Sequence, residues 1–278
     1  MTDPRFFLRS EMNEPVTTTL GNGIAAVFST RCPSKSTDNE DAAAIVSLDE
    51  ARHVLVIADG MGGLPGGALA ASLAVQAMHE SVETAKLNDT TLRDAILNGF
   101  ETANQAVASI GTGAATTLTV VGIEHDTVRP YHVGDSLILL MGQRGKIKLQ
   151  TASHSPVGYA VEAGLLEERE AMHHADRHIV SNMVGSAEMR IEIGPMLTMN
   201  LRDTLIIASD GLFDNLHTSE IVEHARKGSL PKAAAALATI SRARMTTTSD
   251  GQPSKPDDLT FIAYRRAPVT ASRSSKRT

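Results

Sequence analysis

Apolar residues come in short runs closed by turn formers. The pattern predicts strands over 24–28, 42–48, 54–58, 116–123, 128–133, 137–141, 204–208 and 259–264. Links at His125-Asp126 and over 142–145 read as hairpin turns, which makes the middle of the chain an antiparallel meander. Elsewhere the period lengthens to three or four residues. Leu92, Ile96, Phe100, Ala103, Val107 and Ile110 share one helical face, and Thr91 with Asp94 forms a start of the capping-box kind. Leu69, Leu73, Ala77, Met78 and Val82 mark a second helix over 68–82, and shorter helices are predicted over 165–173, 219–227 and 231–245. The order is strands, two consecutive helices, antiparallel strands, then mixed elements. Without βαβ alternation a doubly wound parallel sheet is excluded, and stacked antiparallel sheets flanked by helices fit.

Composition adds bounds. The chain has 278 residues, 42% hydrophobic and 21% charged, values of an ordinary folded protein rather than a disordered or low-complexity one. The longest unbroken apolar run, 233–238, has six residues, far short of the roughly 20 that span a membrane. The first residues lack the apolar stretch of a secretory signal, and one cysteine, Cys32, forms no internal disulfide; both point to a reducing cytoplasm. The formal charge of −6 argues against general nucleic-acid binding, which needs cationic surface. Basic residues do gather at the end, at Arg265, Arg266, Arg273, Lys276 and Arg277, in a Ser/Thr-rich stretch read as a solvated tail.

The acids are placed more tellingly. Two strongly apolar strands run straight into Asp-Gly, at Asp59-Gly60 and Asp210-Gly211. Asn39-Glu40-Asp41 precedes a third apolar run, Asp135 follows Val133-Gly134, and Asp257-Asp258 opens the last strand. A carboxylate at the end of a buried strand is costly unless something positive compensates it. No Lys or Arg lies within three residues of Asp59 or Asp210, so a local salt bridge is not the expected answer. Oxygen ligands beside a glycine, whose carbonyl can approach an ion closely, suit Mg²⁺ or Mn²⁺.

Seven blocks then occur in a recognisable order: NEDA (39–42), ADGMGG (58–63), AATTLTV (114–120), HVGDS (132–136), SHSPVG (153–158), ASDGLFDNL (208–216) and PDDLTFI (256–262). From about residue 21 to 264 the chain resembles the type 2C metal-dependent protein Ser/Thr phosphatases, the PPM family, in its bacterial branch. The resemblance implies an α+β fold, a four-layer α-β-β-α sandwich of two antiparallel sheets flanked by helices. The implied organisation is a first strand or extension over 1–20, one catalytic domain over 21–265 and a basic disordered tail over 266–278. It also implies hydrolysis of phosphoserine and phosphothreonine by a metal-activated water, with no phosphoenzyme. Carried over by position, Asp59 bridges two Mn²⁺ or Mg²⁺ ions, the Gly60 carbonyl binds one, and Asp210 and Asp257 hold the other. Asp41 and Glu40 act mainly through water, Asp258 supports, and Asp135 with Asp214 matches a third, weaker site.

Two departures stand out. The arginine expected shortly before the acidic pair is displaced, leaving Arg31 upstream and Lys35 nearer as candidates for substrate phosphate, with Arg31 the match in type. Met61 stands where many relatives carry a proton-donating histidine, so the proton for the leaving group is expected from water on the third cation. His154 falls in a segment that resembles a substrate-facing flap. Cys32 lies in no Cys-x5-Arg loop and is not expected to be a nucleophile. Expected partners are phosphorylated proteins, substrates of a Ser/Thr kinase, met by a monomer. A catalytically weak phosphoprotein-binding relative would have lost one of Asp59, Asp210 and Asp257, and all three are present. A nucleotide phosphodiesterase would favour aromatic stacking, which a chain with 3% aromatic residues and no Trp supplies poorly.

Overall fold

The structure, a computed structural model, describes residues 3–61, 66–111, 113–249 and 251–266. The first half holds β1 (Arg5–Leu8), β2 (Val16–Leu20), β3 (Gly23–Thr30), β4 (Asp41–Ser47), β5 (Arg52–Met61), α1 (Gly66–Asn88) and α2 (Leu92–Ala108). A meander follows: β6 (Ala115–Thr116), β7 (Leu118–Glu124), β8 (Thr127–Val133), β9 (Leu137–Met141) and β10 (Ile147–Gln150). Then come α3 (Pro156–Glu162), α4 (Glu168–Ala171), β11 (Glu192–Ile193), β12 (Leu197–Thr198), β13 (Thr204–Ala208), α5 (Asp210–Phe213), α6 (Thr218–Ala225), α7 (Leu230–Thr246) and β14 (Leu259–Arg266).

Two antiparallel sheets stack face to face. One runs β1-β4-β5-β7-β8-β11, with β6 on β5 and β12 on β8; the other runs β10-β9-β13-β14-β3-β2. Their inner faces meet through Val27, Ile45, Leu55, Ile57, Ile138, Leu140, Ile207 and Ile262. Alternation along each strand sends the other side chains outward. Ala44, Val54, Val56 and Val120 pack under Met78, Ile96 and Phe100 of α1 and α2. On the far side Phe28, Leu139, Ile206 and Phe261 pack under Leu212, Ile221, Leu237 and Ala234 of α5, α6 and α7. Because both faces of each sheet are covered, the central strands read as continuous apolar runs.

The eight expected strands and the two long helices are present, and the start of α2 is capped as expected, with the Thr91 hydroxyl accepting from the Asp94 N–H. The segment over 165–173 differs. Its helix shrinks to α4, and the ordered helix lies earlier, in α3, where Ser155 accepts from the Gly158 N–H and Pro156 occupies the first turn. A Ser-Pro start of that kind is a legible helix signal that the apolar period alone misses. β1 and β2 place the first residues on the edges of the two sheets, pairing with β4 and β3. The basic tail beyond Arg266 lies outside the described residues.

Antiparallel pairing brings alternate strand ends to one rim. Asp41 opens β4 opposite Asp59 near the end of β5. In the other sheet the end of β13 lies beside the starts of β9 and β14, with Ala208 opposite both Leu137 and Phe261. Gly211 fixes the spacing there: a Cβ on it would stand 1.9 Å from the Asp258 carbonyl oxygen. Gly211→Ala is therefore expected to destabilise the fold by about 1–3 kcal/mol, as overpacking does. Urea unfolding measures this, and an unchanged midpoint would mean that α5 and β14 are not locked together there.

Candidate metal centre

Each rim acid is held by its own polar scaffold. Asp41 is buried; its Oδ2 accepts from Ser209 Oγ at 2.9 Å, and its own N–H donates to Asn39 Oδ1 at 2.9 Å. The backbone of Asp59 is fixed on both sides, its N–H donating to Thr117 Oγ1 at 2.9 Å and its carbonyl accepting from Thr116 Oγ1 at 2.8 Å. Gly60 lies against the start of α1, where a Cβ would fall 2.2 Å from the Gly67 carbonyl oxygen. Asp258 organises the loop before β4: its carboxylate accepts from the Cys32 N–H at 2.7 Å, the Glu40 N–H at 2.7 Å and Lys35 Nζ at 2.8 Å. Of the side chains that hold the rim, Asn39, Thr117 and Ser209 were not legible in sequence. Each is a small polar residue beside an acid, and only the tertiary pairing gives it a role.

The acids confront one another electrically. Burial raises the Asp59 carboxyl well above the carboxylate range, and the charges of Asp41, Asp210, Asp257 and Asp135 add to the rise. Asp41 is raised likewise, by burial and then by Asp258, against hydrogen bonds that favour its ionised form. Asp135 and Asp257 are each pushed up to about 7, by burial first and by Asp210 second, while Lys255 pulls both down. Asp214 is raised by burial and by Asp210. The acids singled out in sequence thus meet at one place, with Glu40 joining through Lys35.

Two ammonium groups sit among these eight carboxylates. Lys35 Nζ lies 2.5 Å from Glu40 Oε2, on the rim, whereas Arg31 pairs with Glu11 at 3.2 Å on the exposed surface. No local salt bridge compensates Asp210, as expected, but a distant one does, from Lys255. Its ammonium contacts Asp210 Oδ2, Asp214 Oδ2 at 2.9 Å and Asp257 Oδ2 at 3.2 Å. The partner is distant from Asp210 in sequence but only two residues before Asp257, so a search centred on Asp257 finds it.

Divalent cations fit this donor set. All the ligand atoms are hard oxygens. Eight carboxylates outnumber two ammonium groups, and on the rim, among the described residues, Asp41 Oδ1, Asp210 Oδ1 and Asp214 Oδ2 are buried without a hydrogen-bond partner. A second acid-and-histidine group, His132, His154 and Glu192, does not fit an ion. His154 Nδ1 accepts from the Gly134 N–H at 3.1 Å and from Asn182 at 2.9 Å, so its proton is on Nε2, which donates to Glu192 at 3.0 Å. His132 spends Nε2 on the Ala152 carbonyl at 2.9 Å, and burial with His154 stacked on it holds its pKa at about 4. Neutral and hydrogen-bonded, the pair ties β8 to the loop before α3 and to β11.

Beside the acids opens a cleft of about 470 Å³, running from Asp135, Asp210 and Asp214 past Arg177 to the apolar Val157, Val161 and Met172 of the α3–α4 segment. The centre therefore has a charged end and an apolar approach.

Residues 30–246 match the family described as Protein phosphatase 2C. The chain is 31% identical over 195 residues to Protein phosphatase PhpP of Streptococcus pneumoniae, a match covering 67% of this chain and 78% of that one. It is 25% identical over 194 residues to the serine/threonine phosphatase stp of Listeria monocytogenes, covering 66% and 76%. Among solved structures, the serine/threonine phosphatase of S. agalactiae superposes with a TM-score of 0.73 at 26% identity, over 87% of this chain and 98% of that one. The catalytic domain of the phosphatase PstP, solved with two manganese ions, shares the fold at 23% identity and a TM-score of 0.67, over 88% and 98%.

The raised carboxyls fix a pH dependence. A carboxyl whose pKa rises on folding binds more protons folded than unfolded, so the metal-free protein loses stability as pH climbs from about 4 through about 7. Asp135 and Asp257, raised from 3.8 to about 7, set that window. The melting temperature in EDTA is expected to be lower at a pH of about 7.5 than at about 5.5, and the rise on adding Mn²⁺ larger at the higher pH, where ligands are ionised. Calorimetry checks this, and an EDTA melting point that climbs across the interval contradicts it.

Proposed function

The chain belongs to the protein phosphatase 2C family, and on that premise we propose how its rim of acids performs the family's reaction, the metal-dependent hydrolysis of phosphoserine and phosphothreonine in proteins. The observation that carries the reading is the meeting of Asp41, Asp59, Asp210 and Asp257 at one rim, with buried carboxylate oxygens unpartnered. Asp59, the Gly60 carbonyl, Glu40 and Asp41 would hold one divalent cation, Mn²⁺ or Mg²⁺, and Asp210 with Asp257 the other. When bound, the pair of cations supplies positive charge for the phosphoryl oxygens and lowers the pKa of water towards neutrality.

The chain's own groups do the rest. Asp41, braced by Ser209, and Asp59, braced by Thr116 and Thr117, keep the acids in place against their mutual repulsion. Lys35, on the rim, is the group we assign to substrate phosphate, ahead of the surface-paired Arg31. A water oxygen forms the new bond to phosphorus, the bond from phosphorus to the Ser or Thr oxygen breaks, and a proton passes to that oxygen. No side chain forms a covalent intermediate: Cys32 is buried with its Sγ against Ser34. The cleft under α3 and α4 receives the peptide on either side of the phosphoresidue.

Residues 21–265, with the strands before them, act as one catalytic unit. The protein is a monomer in a reducing cytoplasm, acting on the products of a Ser/Thr kinase. The single cysteine supports a reducing setting.

Asp210→Asn is expected to stay folded and to lose more than about 100-fold in kcat on a phosphothreonine peptide, since even outer partners of metal ligands are worth 10–100-fold. Chelation should abolish phosphate release and Mn²⁺ should restore it. Activity that persists in EDTA would remove the metal from the mechanism. Lys35→Ala is expected to lower kcat/KM about tenfold or more, the worth of a hydrogen bond to a charged group, with Arg31→Ala within about twofold. The reverse ranking would return the phosphate contact to Arg31.

A further inference from the structure

Lys255 is not a surface lysine that has drifted onto nearby acids. Its backbone is gripped at both polar atoms by one buried side chain: the Lys255 N–H donates to Asn215 Oδ1 at 2.9 Å, and Asn215 Nδ2 donates to the Lys255 carbonyl at 2.8 Å. Asn215 is itself fixed. Its Nδ2 also donates to the Gly211 carbonyl at 2.9 Å, and its own carbonyl accepts from Arg244 at 2.7 Å. The preceding residue is pinned too, with Ser254 Oγ donating to the Arg244 carbonyl at 2.7 Å and the Ser254 carbonyl accepting from Arg177 at 3.2 Å. The turn that carries Asp210 and Asp214 therefore also carries the clamp that aims Lys255 at them.

The ammonium hydrogen-bonds Asp210 and also stands 2.9 Å from Asp214 Oδ2 and 3.2 Å from Asp257 Oδ2, close enough to pair in charge with all three. Its charge also acts on Asp135. On Asp210 it takes only Oδ2, and Oδ1 is left buried and unpartnered. One carboxylate can so serve a tethered cation with one oxygen and a divalent ion with the other.

We propose that Lys255 is a built-in cation filling the place that Asp135 and Asp214 would otherwise offer to a third divalent ion, so that this chain binds two divalent ions and not three. The inference rests on the two-ion reading above and adds to it. A tethered charge is present at every metal concentration, so the Asp214 side of the centre stays neutralised without help from solution. It also replaces the sequence-based expectation that Asp135 and Asp214 carry a further ion.

Counting ions tests this. The whole chain, stripped with EDTA and desalted, is titrated with Mn²⁺ to millimolar free concentration, and the room-temperature EPR signal of free Mn²⁺ gives the number bound. Two ions are expected for the wild type and three for Lys255→Met, the added one the weakest. Metal-free Lys255→Met should also melt below the metal-free wild type, and saturating Mn²⁺ should close the gap. If Lys255→Met does not stay folded without metal, Lys255→Gln, whose amide still donates to a carboxylate, carries the same count. Three ions on the wild type overturn the proposal, as do two ions on the variant, whether bound as before or more tightly. Fewer than two ions on the wild type would instead bring down the two-ion reading itself.

Discussion

Repulsion among carboxylates is the constraint that the rest of this structure answers. Asp41, Asp59, Asp135, Asp210, Asp214 and Asp257 are drawn out of water to one rim, where burial and mutual charge raise most of their pKa values. Such a group of acids would not persist on its own. It persists because an apolar sandwich fixes the strands beneath it. Three layers of packed side chains hold the strand ends in register, and the energy of that packing opposes the repulsion at the rim. The core thus does chemical service: it holds anions closer together than water would leave them, which is the condition for gripping a small, highly charged cation.

Much of this was legible in the sequence, for a physical reason. A strand buried on both faces leaves a continuous apolar run, and an acid at its end has no structural excuse. Val54 to Ala58 closing on Asp59, and Leu205 to Ala208 closing on Ser209-Asp210, announce both the strand and its exit into a charged site. The ordered motifs that resemble a known phosphatase family did the rest, and the fold and family stand as expected from them. Segments with weaker patterning were less readable. The α3–α4 stretch is half-exposed, so no apolar face marks its helices, and their starts depend on caps, Ser155 with Pro156 for α3 and Glu167 with Glu170 for α4.

The compensating cations escaped the sequence because charge pairing ignores chain distance. Lys255 meets Asp210 across forty-five positions, and Lys35 meets Asp258 across more than two hundred. A window of three residues around Asp59 or Asp210 sees neither, whereas one centred on Asp257 reaches Lys255. The placement of Arg31 illustrates the same limit from the other side. It matches the expected residue type, yet its guanidinium turns outward to Glu11, and the shorter-reaching argument from type yields to geometry. The histidine cluster gives a parallel lesson: His132, His154 and Glu192 are close enough to suggest a ligand set, but the donors that point at His154 decide its protonation and leave it no lone pair to give.

The route of the chain through the second sheet has an outcome for the protein's birth. β14, which ends at Arg266, is inserted between β13 and β3, so the last strand among the described residues is an interior one. The two aspartates that introduce it are also the last parts of the centre to leave the ribosome. Until they emerge, the sheet has a gap in its middle and the acids made earlier have no complete cage. A chain stopped short of β14 therefore has neither a closed second sheet nor the full set of rim acids.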